Sequence, residues 1–335
     1  MLTLMLMLFA KPAELQRLQL VPVPFQTEAI ADTLIDGVSC LETDGTHVYL
    51  GQRTSPYVLE LDGRGRYIRS IGGKGQGPGM LGNYGIRALS ISPGGLWVVS
   101  SSNGLGLNYY EQGQFLFKFP LQSYPLVQSK TNLFGVSGEQ VVVAAHPRGK
   151  HLALAYNYDG KVEQAVGDIL PINREDLEYN AALNDTHWLY YGEKWYCLFK
   201  YRPFLRVYNK DFSLEHHFSL EGPEISIKED EFYSRAPKKH TIGKLTFPFP
   251  YFRDFKAFGK HLYFTCNGVL YQVNGSTGHV VSRHVFFPKI KGYEHSNSNH
   301  HMAFFCFLNS GQLMLVSSSE IVGHYLWTVD KTFKP

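Results

Sequence analysis

The 335-residue chain has few cysteines, little net charge and no apolar run long enough to cross a membrane. Its four cysteines, Cys40, Cys197, Cys266 and Cys306, lack C-x-x-C spacing, which argues against a zinc knuckle or a redox pair and favours buried reduced thiols. The formal net charge of +3 is too small to indicate nucleic acid as the partner. These absences predict a protein without a transmembrane segment and without a nucleic-acid partner.

The apolar run at the start, "MLTLMLMLFA", is far shorter than the ~20 residues that span a bilayer. It has the length of a signal-peptide core, and Ala10 stands where cleavage would fall, although the positive residues expected before such a core are missing. We expect residues 1–14 to be a signal or a mobile N-terminus. The protein is then exported (periplasmic, surface or secreted), and cytoplasmic if the run is not a signal.

Aromatic residues are abundant, at 14% of the chain, which favours β structure. Tight-turn pairs recur before apolar runs, and a second turn series alternates with the first, with a period of about fifty residues. Six such units follow one another, the first at Asp44-Gly45 and the last at Ser310-Gly311. The pattern predicts an all-β fold: a six-bladed β-propeller of four-stranded antiparallel blades, formed by residues 15–335 as a single domain.

Two irregularities modify the repeat. The last unit lacks its fourth strand, and the N-terminal "RLQLVPVPF" is expected to supply it, closing the ring as an outer edge where its prolines are tolerated. Inserts are expected near 168–186 and 222–250, and "SIKEDEFYSRA" at 226–236 predicts a helix stopped by Pro237. Such inserts either carry binding or are decoration, and the sequence favours neither.

The glycine-rich stretch "IGGKGQGPGML" at residues 71–81 is either a phosphate loop or a corner. A phosphate loop needs Lys followed by Ser or Thr and then a helix, whereas Lys74 precedes the later glycines and "IRALSI" at 86–91 is strand-like. We interpret the stretch as the connection between the first two blades. Residues 57–81 resemble bacterial six-bladed propellers related to NHL repeats, which implies the same fold and commonly export. The other blades lack the acidic or Asn residue that such repeats often carry after the second strand.

Basic residues collect at one end of the predicted blades. In a four-stranded blade, the connection from the second to the third strand and the start of the next first strand open on the same face. The candidate ligand-binding residues there are Arg53, Arg87, His146, Arg148, His187, Lys200, Arg202, Arg253 and His301. Acidic residues on this face are few, so we expect it to attract anions, with Arg148 and Arg202 as the strongest candidates because guanidinium groups hold carboxylate or phosphate in a bidentate manner.

Three functions remain open from the sequence. The first is a non-catalytic protein whose basic channel mouth binds an anionic small molecule, a glycan or a partner protein. The second is a hydrolase or lyase that uses channel His and Arg residues, possibly with a metal. The third is a structural spacer. The histidines of "YEHSNSNHH" at 293–301 do not converge as metal ligands would, so no metal and no cofactor are predicted.

Overall fold

The computed structural model describes residues 13–23, 37–100, 106–121, 133–145, 150–170, 183–235, 251–288, 302–319 and 323–334. Its strands, in chain order, are β1 (Leu15–Pro22), β2 (Val38–Thr43), β3 (His47–Gln52), β4 (Tyr57–Asp62), β5 (Tyr67–Gly72), β6 (Ile86–Ser92), β7 (Gly95–Ser100), β8 (Gly106–Glu111), β9 (Gln114–Pro120), β10 (Phe134–Val136), β11 (Gln140–Ala144), β12 (His151–Asn157), β13 (Val162–Asp168), β14 (Thr186–Tyr191), β15 (Lys194–Phe199), β16 (Phe204–Tyr208), β17 (Leu214–Ser219), β18 (Phe252–Phe258), β19 (His261–Cys266), β20 (Val269–Asn274), β21 (Val280–Pro288), β22 (Met302–Phe307), β23 (Gln312–Ser319) and β24 (Gly323–Thr332). Helix α1 spans Pro223–Arg235.

Four separate antiparallel sheets of four strands each follow one another along the chain. They are β2–β5, β6–β9, β10–β13 and β14–β17, and within each sheet every strand pairs with the next. Each strand buries the side chains that face its neighbours, and the fourth strand of each sheet is the most exposed, as in the alternating pattern of β9. The prediction of an all-β, propeller-like arrangement with four-stranded antiparallel blades is confirmed.

The remaining strands form one eight-stranded sheet in the order β18-β19-β20-β21-β1-β24-β23-β22. Strand β1 joins its two halves, because Leu15–Leu20 pair with β21 in parallel and Leu20–Pro22 pair with β24 antiparallel. The structure therefore has four separate blades instead of the predicted six. The N-terminal strand does lie beside β24, but it is not an outer edge, since hydrogen-bonded strands flank it on both sides.

Neighbouring sheets pack face to face through hydrophobic clusters. Trp97 of β7 packs with Val141 of β11 in one such cluster, and Leu41 of β2 packs with Met314 of β23 in another. The two halves of the eight-stranded sheet also share a cluster with Tyr263. The first strands of these units contact one another in a closed cycle: β2, β6, β10, β14, β18, β22 and again β2.

The glycine-rich stretch 71–81 is a corner, as predicted. It leads from β5 to β6 through a turn in which Met80 N donates to Gly77 O (3.0 Å) and Leu81 N donates to Gly73 O (2.8 Å). A little further on, a Cβ atom at Gly85 would lie 1.9 Å from the backbone oxygen of Arg53. Only glycine therefore permits this close approach of the first two blades.

Helix α1 lies inside the predicted insert 222–250, and it begins at Pro223, three residues before the predicted Ser226. Proline is favoured in the first helical turn because that turn needs no donor from its N–H group. Ser226 is not a cap, because its N–H and hydroxyl both donate to Gly222 O. Residues 236–250, including Pro237, and residues 171–182 of the other insert lie outside the described residues.

The four cysteines are free and buried, as predicted. Burial raises the pKa of the Cys40 thiol to about 12 and also raises the pKa values of Cys197 and Cys306. A thiol with a raised pKa carries little thiolate near neutral pH, so these residues are packing groups. Within the described ranges, no helix has the length and apolar character needed to cross a bilayer.

Candidate functional site

The candidate site lies where first strands begin and second strands end, and we call this end of the sheets the mouth. Antiparallel pairing sets Thr186 at the start of β14 opposite Phe199 at the end of β15. The Lys200 N–H then donates to Asp185 O at 2.9 Å, and in the first blade the Arg53 N–H donates to Gly37 O at 2.6 Å. The described candidate residues of the sequence analysis all stand at this end.

Lys200 forms a buried ion pair. Its Nζ atom lies 3.1 Å from Asp185 Oδ1, and both side chains are less than a tenth exposed. Burial lowers the pKa of Lys200 and raises the pKa of Asp185, while their mutual attraction opposes both shifts. Lys200 was predicted to contact ligand, and the structure shows its charge occupied inside the protein.

His187 is also buried and contacts the next sheet. Its ring Nε2 lies 3.2 Å from Phe252 O on β18, at the start of the first strand beyond. A backbone hydrogen bond joins the same two sheets, since the Tyr251 N–H donates to Lys200 O at 2.8 Å. At 1% exposure, His187 couples two sheets and does not reach solvent as a base would.

The arginines of the mouth are more accessible. Arg53 is exposed, whereas Arg87, Arg202 and Arg253 are partly buried. The Arg202 guanidinium stands 6.0 Å from the centroid of the Phe204 ring, and burial lowers the pKa of Arg253. Gly85 lies directly against the Arg53 backbone. Arg87, two residues further along the chain, therefore belongs to the segment that lies beside Arg53.

Three predicted site residues, His146, Arg148 and His301, lie outside the described residues. Their part in the mouth stays a prediction. Arg148 and Arg202 were the two strongest sequence candidates, and ligand binding by either stays a prediction.

A charged cluster, which we call the first-strand cluster, lies where β2, β18 and β22 face one another. Lys256 Nζ donates to Glu42 and lies 3.4 Å from Asp254 Oδ1. Asp254 also accepts the N–H groups of Phe255 (3.0 Å) and Phe305 (2.9 Å). Strands from three different units are thereby tied together by one lysine and two carboxylates.

Burial dominates the electrostatics of the first-strand cluster. It raises the pKa of Glu42 to about 7 and raises the pKa of Asp254, although Lys256 pulls both downward. Burial alone lowers the pKa of Lys256, but the carboxylates of Asp254 and Glu42 outweigh it, and the net shift is upward. The attraction of the two carboxylates therefore keeps the lysine charged.

Of strand β18, the sequence pattern pointed to Arg253 and not to Lys256. The available signal was the segment "FRDFKAF", which places three charges in a first strand whose other residues are apolar. The partner Glu42 lies 214 positions away, so no local pattern could pair them. Over the described ranges, no group of three or more His, Cys, Asp or Glu side chains is arranged to hold a metal ion.

No protein-family model matches the chain, and no curated protein matches its sequence. Solved structures do match. The candidate exported protein BF0058 of Bacteroides fragilis has a TM-score of 0.57 at 9% identity, covering 96% of this chain and 100% of that one. Streptogramin B lyase gives 0.53 at 12% identity over 93% and 97% of the two chains, and the RRP9 WD40 repeats give 0.54 at 11% over 92% and 96%.

Identities this low show the fold alone. These matched structures are β-propellers with different activities, one of them a lyase and another a repeat protein named for its WD40 units. The resemblance of residues 57–81 to NHL-related repeats has no support from a family model or a sequence match. The comparisons and the sheet order together identify the chain as a β-propeller protein, and they leave its ligand to be argued from the site.

Proposed function

We propose that this protein is a non-catalytic binding propeller whose mouth binds an anionic ligand: a small molecule, an acidic glycan or an acidic face of a partner protein. One observation carries the proposal. On the first strands and second-strand ends of the described mouth, the carboxylates of Asp185 and Asp254 are each paired with a lysine, Lys200 and Lys256 respectively. The lysines thus neutralise these two acids inside the protein, and the arginines of the mouth bring further positive charge.

The arginines come in two neighbouring pairs, Arg53 with Arg87 and Arg202 with Arg253. In each pair, backbone contacts between adjacent sheets bring the two segments together. A guanidinium group keeps its charge when partly buried and offers a planar set of donors that matches carboxylate or phosphate. His146, Arg148 and His301 belong to the same proposed surface by their sequence positions. Low-dielectric walls around such a surface strengthen its field toward anions.

The proposal is tested with the purified protein and a panel of citrate, glucuronate, inorganic phosphate and a sulfated glycan. A ligand at a hundred times its dissociation constant stabilises the folded state by about 2.7 kcal/mol, which raises the melting temperature measurably. We expect this shift to disappear in Arg253→Ala and in Arg53→Ala. The matched control is Arg64→Ala, which removes an exposed arginine from the turn between β4 and β5, at the opposite end of its sheet. A shift that survives in both mouth variants contradicts the proposal.

We also propose that the eight-stranded sheet acts as two blades, so that residues 15–335 form one ring of six. The closed cycle of first-strand contacts and the hydrophobic cluster between the two halves of that sheet support this reading. Deleting residues 1–22 would remove β1 and leave β21 and β24 as open edges. We expect that variant to unfold at lower urea concentration and to self-associate, whereas a protein that unfolds as the full chain does would refute the ring.

Catalysis by Glu42 is the second candidate function. Its side chain is 17% exposed and its pKa of about 7 suits a general acid or base. The predicted channel histidine, His187, is a weaker candidate for a catalytic base than Glu42, because it is buried against a backbone carbonyl. An anion from the panel that is consumed by the wild type and not by Glu42→Gln would favour the enzyme over the binding protein.

We propose export for this chain. The apolar run at residues 1–10 and the fold likeness to the candidate exported protein of Bacteroides fragilis support it. Fusing residues 1–30 to alkaline phosphatase, which is active only outside the bacterial cytoplasm, tests the proposal. Activity comparable to that of a reporter without the segment would exclude export by this route.

A further inference from the structure

A cleft of about 840 Å³ runs along the outer strands of two neighbouring units, and two of its lining residues, Pro203 and Phe204, directly follow the mouth residue Arg202. Its walls are the start of β16, the end of β17, the first turns of α1 and the turn between β20 and β21. The volume lies within the range of roughly 300–1,000 Å³ that is typical of ligand sites. The mouth proposal does not use this cleft.

Ion pairing holds α1 rigidly at the cleft. Arg283 Nη1 donates to both carboxylate oxygens of Glu224, at 3.0 and 2.9 Å, and the Tyr271 hydroxyl donates to the same carboxylate. Arg283 Nε donates to Ala13 O at 3.0 Å. The helix, the outer strands of its neighbour and the N-terminal segment therefore form one preorganised wall, which lowers the cost of ordering on binding.

Arg283 has a donor left over. The residue is only 8% exposed and lines the cleft, yet within the described part of the chain its Nη2 group makes no hydrogen bond. Arg283 Nη2 is not among the fully buried atoms that lack a partner, so it is open to solvent at the cleft, where a ligand acceptor can take the place of water. Glu224 already neutralises the charge of the guanidinium, which suits a neutral carbonyl oxygen better than a second anion.

The floor of the cleft is apolar, and its rim is acidic. Pro203, Leu220 and Ile225 are buried, and the ring of Phe204 is partly exposed beside them. Two lining carboxylates, Glu221 and Glu229, form no ion pair with any residue that the structure describes. A ligand that fits must therefore combine an apolar group, a carbonyl and a positive charge.

We infer that the cleft binds a short extended peptide segment in which a lysine or arginine stands next to an apolar residue. The apolar side chain covers the floor formed by Pro203, Phe204 and Ile225. A backbone carbonyl of the peptide accepts from Arg283 Nη2, and the basic side chain reaches Glu221 and Glu229 at the rim. The complementarity of charge excludes an acidic peptide from the same position.

The probe is a fluorescein-labelled five-residue peptide with a central arginine between two leucines, followed by fluorescence anisotropy. We expect saturable binding to the full-length protein, weakened roughly tenfold when citrulline replaces the arginine, because two partly exposed ion pairs are lost. The double variant Glu221→Gln with Glu229→Gln is expected to lose affinity for the arginine peptide to a similar extent and to bind the citrulline peptide as the wild type does.

Two further variants complete the test. Ser226→Trp places a large side chain from the exposed face of α1 into the cleft and is expected to abolish binding of both peptides. Glu139→Gln, which removes an exposed carboxylate elsewhere, is expected to change nothing. Absence of binding, equal affinity for the arginine and citrulline peptides, or full binding to Ser226→Trp would each overturn the inference. Melting temperatures of all variants, measured in parallel, confirm that they fold.

Discussion

Replacing Lys256 by methionine should destabilise the protein strongly. Methionine has a similar length and no charge, so the substitution removes the ammonium group and leaves Glu42 and Asp254 facing each other. Lys256 is 9% and Asp254 is 1% exposed, so solvent compensates little. Removing one partner of a buried ion pair typically costs about 3–5 kcal/mol, a large part of the 5–15 kcal/mol that keeps a domain folded.

The cluster holds two acids and one lysine, which makes the effect asymmetric. Glu42→Gln leaves the Lys256–Asp254 pair complete, and we expect it to cost less than about 1 kcal/mol at pH 8. Glu42→Gln should also change how the free energy of unfolding depends on pH. Because the folded pKa of Glu42, about 7, lies above its ordinary value of 4.5, the associated stability is complete below pH 4.5 and is lost as the pH rises through 7. Glu42→Gln should remove this decline.

Urea unfolding followed by tryptophan fluorescence at pH 5 and pH 8 measures both effects. The cost of Lys256→Met should be smaller at pH 5, where the carboxylates take up protons and no longer repel each other. The combined variant of Glu42→Gln and Lys256→Met should be more stable than Lys256→Met alone at pH 8. The reasoning is refuted if Lys256→Met is within 1 kcal/mol of the wild type at pH 8, or if Glu42→Gln is equally damaging.

Three further outcomes are expected. Asp185→Asn should lower the free energy of unfolding by about 3–5 kcal/mol, because Lys200 is left buried without its carboxylate; a urea midpoint like that of the wild type would contradict this. Gly85→Ala should lower the melting temperature by several degrees, since the new Cβ would meet the Arg53 backbone oxygen at 1.9 Å, whereas unchanged melting would mean that the two blades separate at no cost. Burial lowers the pKa of His284 to about 4, so stability present above pH 6.5 should be lost as the pH falls toward 4, and His284→Leu should not show that loss in urea titrations across this range.

Local features of the sequence were sufficient to predict the four-stranded blades. Turn pairs such as Asp44-Gly45 and the apolar runs after them specify hairpins by their own backbone preferences, so antiparallel four-stranded sheets were predictable. The corner at 71–81 was predictable for the same reason, because Lys74 and its glycines match a turn and not a phosphate loop. Helix α1 was predicted with its start three residues late, since Pro223 was not recognised as a first-turn residue.

Pairing between distant segments was only partly predictable. The missing fourth strand of the last unit pointed to the N-terminal strand, and β1 does pair with β24. The parallel pairing of Leu15 with Arg283 on β21 could not be predicted from the local sequence. The sequence of a strand does not show whether its backbone is paired on one edge or on both. This pairing makes one sheet where two blades were expected.

For the charged residues, too, one part could be predicted from the sequence and another part only the tertiary structure decided. The sequence by itself predicted that basic residues collect at one end of the blades, because strand order assigns every loop to one face or the other. Only the tertiary structure decided which charges pair inside the protein: Lys200 with Asp185, and Lys256 with Glu42 from 214 positions away. The physical reason is that hairpins form between neighbours in the chain, whereas burial and ion pairing depend on which distant strands meet.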